Sequence, residues 1–129
     1  LVIMNVARKP RAGRSVTDFA ALLRGELPGD ATWTPLNEGV DICRLYGDSE
    51  TGPSAALLRY APNARVPLHE HDGQERIFVL SGSQQDESGV YPAGTMVVNP
   101  SRSRHSVRAP TGCLALVLWE GPVTFVAEH

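Results

Sequence analysis

Between Trp33 and Ala127 the chain alternates short apolar runs with clusters of turn-forming residues, and this punctuation restricts the possible folds more than any other feature. Ten prolines and twelve glycines in 129 residues suit short strands far better than long helices. Residues 33–36, 40–46, 55–60, 77–80, 95–98, 104–108, 114–119 and 123–127 read as strands, with an extended segment from Pro67 and a shorter polar strand through Gln84 and Gln85. Asn37-Glu38-Gly39, Ala61-Pro62-Asn63, Asp86-Glu87-Ser88-Gly89, Tyr91-Pro92-Ala93-Gly94 and Ala109-Pro110-Thr111-Gly112 supply turns. Roughly ten strands at intervals of about eight to twelve residues describe an all-β sandwich or closed barrel. Val40, Ile42 and Arg44 share one face of their strand, and Asp41, Cys43 and Leu45 the other. Residues 77–80 and 114–119 are unbroken apolar runs, as in strands covered on both sides.

A chain of 13.9 kDa is one domain by length. Residues 1–36 read as an N-terminal arm and packing segment, and residues 37–129 as the barrel. The basic, Pro/Gly-containing residues 8–14 form an exposed arm. Ser15 is placed to cap a helix of one or two turns, with Asp18 in the capping-box position, Phe19, Leu22 and Leu23 as its apolar face and Gly25 as its stop. That face is a packing surface.

Charge and cysteine usage exclude several classes of function. A net charge of -2 and a pI near 6.1 provide no basic footprint for nucleic acid. Leu1-Val2-Ile3-Met4 is too short for a signal-peptide core or a membrane span, so the expectation is a cytoplasmic protein without membrane contact. Cys43 and Cys113 match no CxxC pattern and read as buried thiols.

The chemistry concentrates in Pro67-Leu68-His69-Glu70-His71-Asp72-Gly73-Gln74-Glu75. Two histidines two residues apart on an extended segment point to the same face. A bend or short hairpin at Asp72-Gly73 brings Glu75 back beside them. His105, after Asn99-Pro100-Ser101, is the third imidazole of the set, while His129 is terminal. His69, His71, Glu75 and His105 are therefore the candidate ligands of one divalent ion. Such a donor set suits Zn, Fe(II), Ni, Cu(II) or Mn. A closed tetrahedral site would be structural or sensory, whereas an octahedral one would keep positions open for substrate. Glu70 and Asp72 alternate with the ligands and should point away as solvated charges. Ser101, Ser103 and Ser106 near His105 do not make a hydrolase, because a metal-bound imidazole cannot serve as base. Arg102 and Arg104 read as a solvated loop, and Tyr60, Tyr91 and Trp119 as packing residues with satisfied polar tips.

These residues resemble the cupin superfamily, whose motifs have the forms G-x5-H-x-H-x3-4-E-x6-G and G-x5-P-x-G-x2-H-x3-N. His69, His71, Glu75 and Gly82 match the first, and Gly94, Pro100 and His105 the second. The stretch from His69 to Glu75, with Asp86 to Gly94, Asn99-Pro100 and Gly112-Cys113, is similar to the ChrR-like cupins, over roughly residues 37–123. Those form the C-terminal domain of zinc-binding anti-sigma factors and also occur alone. Asn63, Gln74, Arg76, Arg102 and Ala109 depart from the motifs at positions that are not ligands, and Arg76 puts a positive charge beside Glu75.

The resemblance implies a double-stranded β-helix, or jelly-roll barrel, with a short N-terminal extension and one metal inside. Ile77, Val79, Val98, Leu116 and Leu118 are candidates for the barrel wall. Zinc is the expected ion, with Fe(II), Mn or Ni as alternatives. Two functions follow from it: a metal-binding module responsive to an oxidant or small molecule, or an Fe(II)-dependent dioxygenase of the acetylacetone-cleaving type. A small-molecule ligand in the barrel and pairing into a homodimer through strand edges are expected. The helical anti-sigma domain is not in this chain, so sigma-factor binding by this chain alone is not expected.

Overall fold

The computed structural model describes residues 2–3, 14–27, 32–48 and 50–127. In chain order the elements are β1 (Val2–Ile3), α1 (Phe19–Leu23), β2 (Thr34–Asn37), β3 (Val40–Gly47), β4 (Ser54–Tyr60), β5 (Ala64–His71), β6 (Glu75–Asp86), β7 (Gly89–Pro92), β8 (Met96–Asn99), β9 (Arg104–Ala109), β10 (Cys113–Trp119) and β11 (Val123–Phe125). Every strand pairing is antiparallel. One sheet runs β2-β3-β4-β10-β6-β8, and the other β1-β11-β5-β9 with the far end of β6 and β7. β6 belongs to both, so the sheet curls into a barrel around it.

That continuity differs from the sequence expectation that Gly82 ends one strand before another begins. Gly82 instead lies inside β6 at φ +70°, where a β-carbon would overlap the Gly112 carbonyl. Just before it, Leu114 pairs with Ser81 while Ala115 pairs with Val79, so Leu80 is an extra residue on β6. A bulge of this kind shifts the alternation by one. Glu75, Ile77 and Val79 are therefore buried before it, and Gln84 after it.

The core has two parts. Inside the barrel, Val40, Ile42, Leu58, Val79, Val107 and Val117 pack together. On the outer face of the β3-β4-β10-β6 sheet, α1 lays Leu22 against Cys43, Leu45, Leu57, Leu114 and Leu116. Of the five expected wall residues, Ile77 and Val79 face the interior. Leu116 and Leu118 join the outer cluster, and Val98 is exposed. Cys43 and Cys113 are both buried, in different clusters.

Helix α1 starts one turn later than Ser15 would set it: Asp18 is the N-cap, its Oδ1 accepting from Ala21 N at 3.1 Å. Gly25, at φ +80°, stops it as expected. Only Leu22 of the expected apolar trio is buried, with Phe19 and Leu23 51% and 67% exposed. β1 was not anticipated, because two apolar residues carry no strand periodicity; its place comes from pairing with β11. Most of the expected basic arm, and His129, lie outside the described residues. Among the described residues no helix is long and apolar enough to cross a membrane.

Candidate metal centre

β5 supplies His69 and His71, two residues apart and both turned into the barrel. β9 lies beside it in register, so His105 is the cross-strand partner of His69. Glu75 opens β6 after a bend at Asp72-Gly73, where Asp72 N donates to Pro122 O at 3.0 Å. β5 and β6 are not paired with each other, so the connection is a corner between sheets and not a hairpin. The corner sets Glu75 against the three imidazoles.

The four sequence-identified residues thus come together, with one ligand atom from each lying within 4.8 Å of all the others. All four are buried, none more than 6% exposed. The imidazole centroids are 4.6 to 5.0 Å apart with planes inclined by 67° to 81°, so the rings meet edge-on and do not stack.

Hydrogen bonds fix which nitrogen of each ring is available. His69 Nδ1 lies 2.8 Å from Pro67 O, a carbonyl that can only accept. His105 Nδ1 lies 3.1 Å from Asp86 Oδ2. His71 Nδ1 lies 3.0 Å from Ser103 Oγ, whose own proton goes to Pro100 O at 2.5 Å. Each Nδ1 is therefore the donor, and the lone pair of each neutral ring sits on Nε2. His71 Nε2 and His105 Nε2 are 3.0 and 3.5 Å from Glu75 Oε1. Neither contact has hydrogen-bond geometry, and both nitrogens are buried without a hydrogen-bond partner. Buried polar atoms of this kind are costly unless something binds them. A divalent cation among three Nε2 atoms and a carboxylate oxygen is that partner by chemistry, so the residues present fit a metal ion.

Electrostatics agree with a site prepared for positive charge. Burial, with His105 close by, pushes the His69 pKa down to about 4. Burial opposes ionisation of Glu75, but the neighbouring His105 and His71 outweigh it and hold the carboxyl well below its usual range. Burial also opposes protonation of His105, yet Glu75 and Asp86 raise it above an ordinary histidine. A bound cation would displace that proton and take over the charge compensation.

The remaining candidates sort clearly. Glu70 points away from the cluster and pairs with Arg104 Nε at 3.0 Å and Arg102 Nη1 at 3.5 Å. Asp72 also faces Arg102, at 3.4 Å. Ser101 Oγ donates to Asp72 O at 2.6 Å, and Ser106 Oγ to Glu87 Oε2 at 2.8 Å, so neither approaches His105 as a nucleophile. Tyr91 OH donates to Asp86 Oδ1 at 2.8 Å, steadying the carboxylate that holds His105.

Sequence reasoning missed the residues that hold Glu75. Trp119 Nε1 donates to Oε2 at 2.7 Å and Asn99 Nδ2 to Oε1 at 3.1 Å. Trp119 was expected to pack with its polar tip satisfied, but its partner was not foreseen. Both are cross-strand neighbours of Glu75, on β10 and β8, a relation that register alone reveals. Ser103, just before β9, and Asp86, at the end of β6, were likewise missed, being 32 and 19 positions from the histidines they bond. The cavity beside the cluster, lined by Leu58, Tyr60, Val66, Gln84, Val107 and Val117, has about 10 Å³ of space. That is room for about one water-sized guest.

A profile of the ChrR cupin-like domain matches residues 27–124. Among curated proteins none matches this sequence. The crystal structure of Rhodobacter sphaeroides SigE in complex with the anti-sigma ChrR contains a chain 27% identical, with a TM-score of 0.65 over 78% of this chain and 55% of that one. A protein of unknown function with a cupin-like fold from Ralstonia eutropha is 25% identical, with a TM-score of 0.62 over 68% of this chain and 59% of that one. The chain thus spans little more than half the length of these two. An acetylacetone dioxygenase from Acinetobacter johnsonii, at 16% identity, shares the fold with a TM-score of 0.73, over 93% of this chain and 83% of that one.

Proposed function

Because the chain belongs to the ChrR cupin-like family, we propose that it is a metal-binding module of that kind, holding one divalent ion and responding to an oxidant or a small molecule. The observation that carries this reading is the convergence of three Nε2 lone pairs and one carboxylate oxygen in a buried cluster, with every Nδ1 already engaged. His69, His71, Glu75 and His105 hold the ion. Zinc is the ion of this reading, because four donors satisfy its tetrahedral preference. When bound, the ion acts as a Lewis acid and charge centre, and the chain's own part is to fix the donors and keep water out.

The narrow interior favours this over turnover of an organic substrate. Space for about one water beside the ligands does not admit a diketone. An Fe(II) dioxygenase would need a wider interior, so that reading stands second. Pairing with a second copy is supported by the half-exposed apolar residues on the outer face, Phe19, Leu23, Phe78 and Leu118 among them. Sedimentation equilibrium is expected to give twice the chain mass.

The deciding measurement is metal content by plasma mass spectrometry, on untagged protein purified without chelator or added metal. Near-stoichiometric zinc, lost in His105→Ala, is the expected outcome. Near-stoichiometric iron, with nitric oxide binding to it, would transfer the assignment to the oxygenase. Metal content unchanged in His105→Ala would sink the four-ligand site.

A further inference from the structure

We infer that Trp119 sets the coordination number of the site, by holding Glu75 to a single metal-binding oxygen. The inference rests on the metal-binding reading above and adds a determinant of metal selectivity to it. A carboxylate offers either one oxygen or both, and the choice decides whether three imidazoles and one glutamate make a four- or a five-coordinate site.

The two oxygens of Glu75 are not equivalent here. Oε1 faces the ring nitrogens, 3.0 Å from His71 Nε2 and 3.5 Å from His105 Nε2. Oε2 is turned the other way and accepts from Trp119 Nε1 at 2.7 Å, a hydrogen bond that is fully buried. The register builds this arrangement: Glu75 lies in β6 directly between Trp119 of β10 and Asn99 of β8. Each neighbour donates to one oxygen, which fixes the rotation of the carboxylate about its own axis.

An indole nitrogen donates only, and Trp119 is 2% exposed, so water does not replace a lost acceptor there. Swinging Oε2 toward the ligand cluster would leave that N–H buried and unpaired. The short bond to an ionised acceptor is also of the stronger, charge-assisted kind. Trp119 is therefore a positioning residue that acts through Glu75. The result is three Nε2 atoms and Oε1, a set that matches zinc better than ions seeking five or six donors.

The test replaces zinc with Co(II), whose visible absorption is intense in four-coordinate sites and weak at higher coordination number. Wild-type protein is expected to show the intense bands. Trp119→Phe, which keeps an aromatic ring and removes the N–H, is expected to bind one cobalt per chain with most of that intensity lost. Its cobalt affinity should rise relative to its zinc affinity by roughly tenfold, the equivalent of about 1.4 kcal/mol. An unchanged spectrum in a metal-loaded Trp119→Phe protein would overturn the inference while leaving the metal site intact. Cobalt and zinc binding no better in the wild type than in His69→Ala would instead remove the metal site itself, and this inference with it. Should Trp119→Phe not fold, zinc X-ray absorption on the unmodified protein decides. One oxygen in the first shell supports the inference, and two from a bidentate carboxylate overturn it.

Discussion

The two faces of β6 put neighbouring residues to different uses. Inward, Glu75, Ile77 and Val79 are buried, one as part of the donor cluster and two as core. Outward, Arg76 meets Glu120, while Phe78 and Leu80 pack under α1 beside an apolar groove of about 450 Å³. Period-two alternation separates these roles by one residue. The interior is tightly filled, and its polar cluster leaves His71 Nε2 and His105 Nε2 unpartnered where a metal ion would fit. The outer face is apolar yet half-open, and loose packing there leaves each side chain with less at stake.

The largest effect should come from the inner face at the ligands. His71→Ala removes a donor that is 1% exposed and is expected to reduce metal content from about one ion per chain to near zero by mass spectrometry. Stripping the wild type with a chelator should lower its melting temperature in calorimetry. The lost stabilisation is about 4 kcal/mol if free metal had stood near 1,000 times Kd. A melting temperature that ignores the chelator would contradict a metal bound preferentially by the folded chain.

Next comes packing, where the two faces can be compared within one strand. Ile77→Ala should cost about 2–5 kcal/mol in urea unfolding, because the side chain is 3% exposed inside the barrel and its removal leaves a cavity. Leu80→Ala, at the bulge on the half-open outer face, should cost about 1 kcal/mol or less. That value holds for the separated chain; a cost equal to that of Ile77→Ala at concentrations where the chain pairs would show the second copy covering this groove.

The candidate ligands that the structure brings together were legible in the sequence because their identity and spacing follow from local rules. His69 and His71 share a face by alternation, and the Asp72-Gly73 bend turns Glu75 back. Most strands followed from glycine and proline punctuation, but the two read on either side of Gly82 are one strand, β7 falls where turns were read, and β1 comes only through its distant partner β11. The residues that orient the ligands were not legible. Trp119 is 44 positions from Glu75 and Ser103 is 32 from His71, and only antiparallel register brings them together. The faces of the continuous apolar runs were hidden for a related reason. In residues 114–118 every position is apolar, so alternation has no contrast to read, and Leu116 and Leu118 went to the outer cluster. The bulge at Leu80 then reverses the phase of β6, which no pattern in the sequence marks.

The smallest effect should be at Arg76, whose position in sequence and position in space argue opposite ways. Adjacent to Glu75 in the chain and standing where the family motif carries an acid, it reads as a charge that should tune the metal site. In the fold its guanidinium lies on the other face, with Nη2 donating to Glu120 Oε1 at 3.0 Å, and the two side chains are 38% and 50% exposed. A pair this open to solvent contributes about 0–1 kcal/mol. Its field at the metal is reduced further by screening water and salt. Arg76→Gln should therefore shift unfolding free energy by less than about 1 kcal/mol and zinc affinity by no more than a similar amount, read by competition with a chromophoric chelator. Glu75→Gln, one residue earlier, is expected to abolish stoichiometric binding in the same assay. If the two variants weakened zinc binding alike, alternation would not be separating the faces, and the charge of Arg76 would have to act directly on the site.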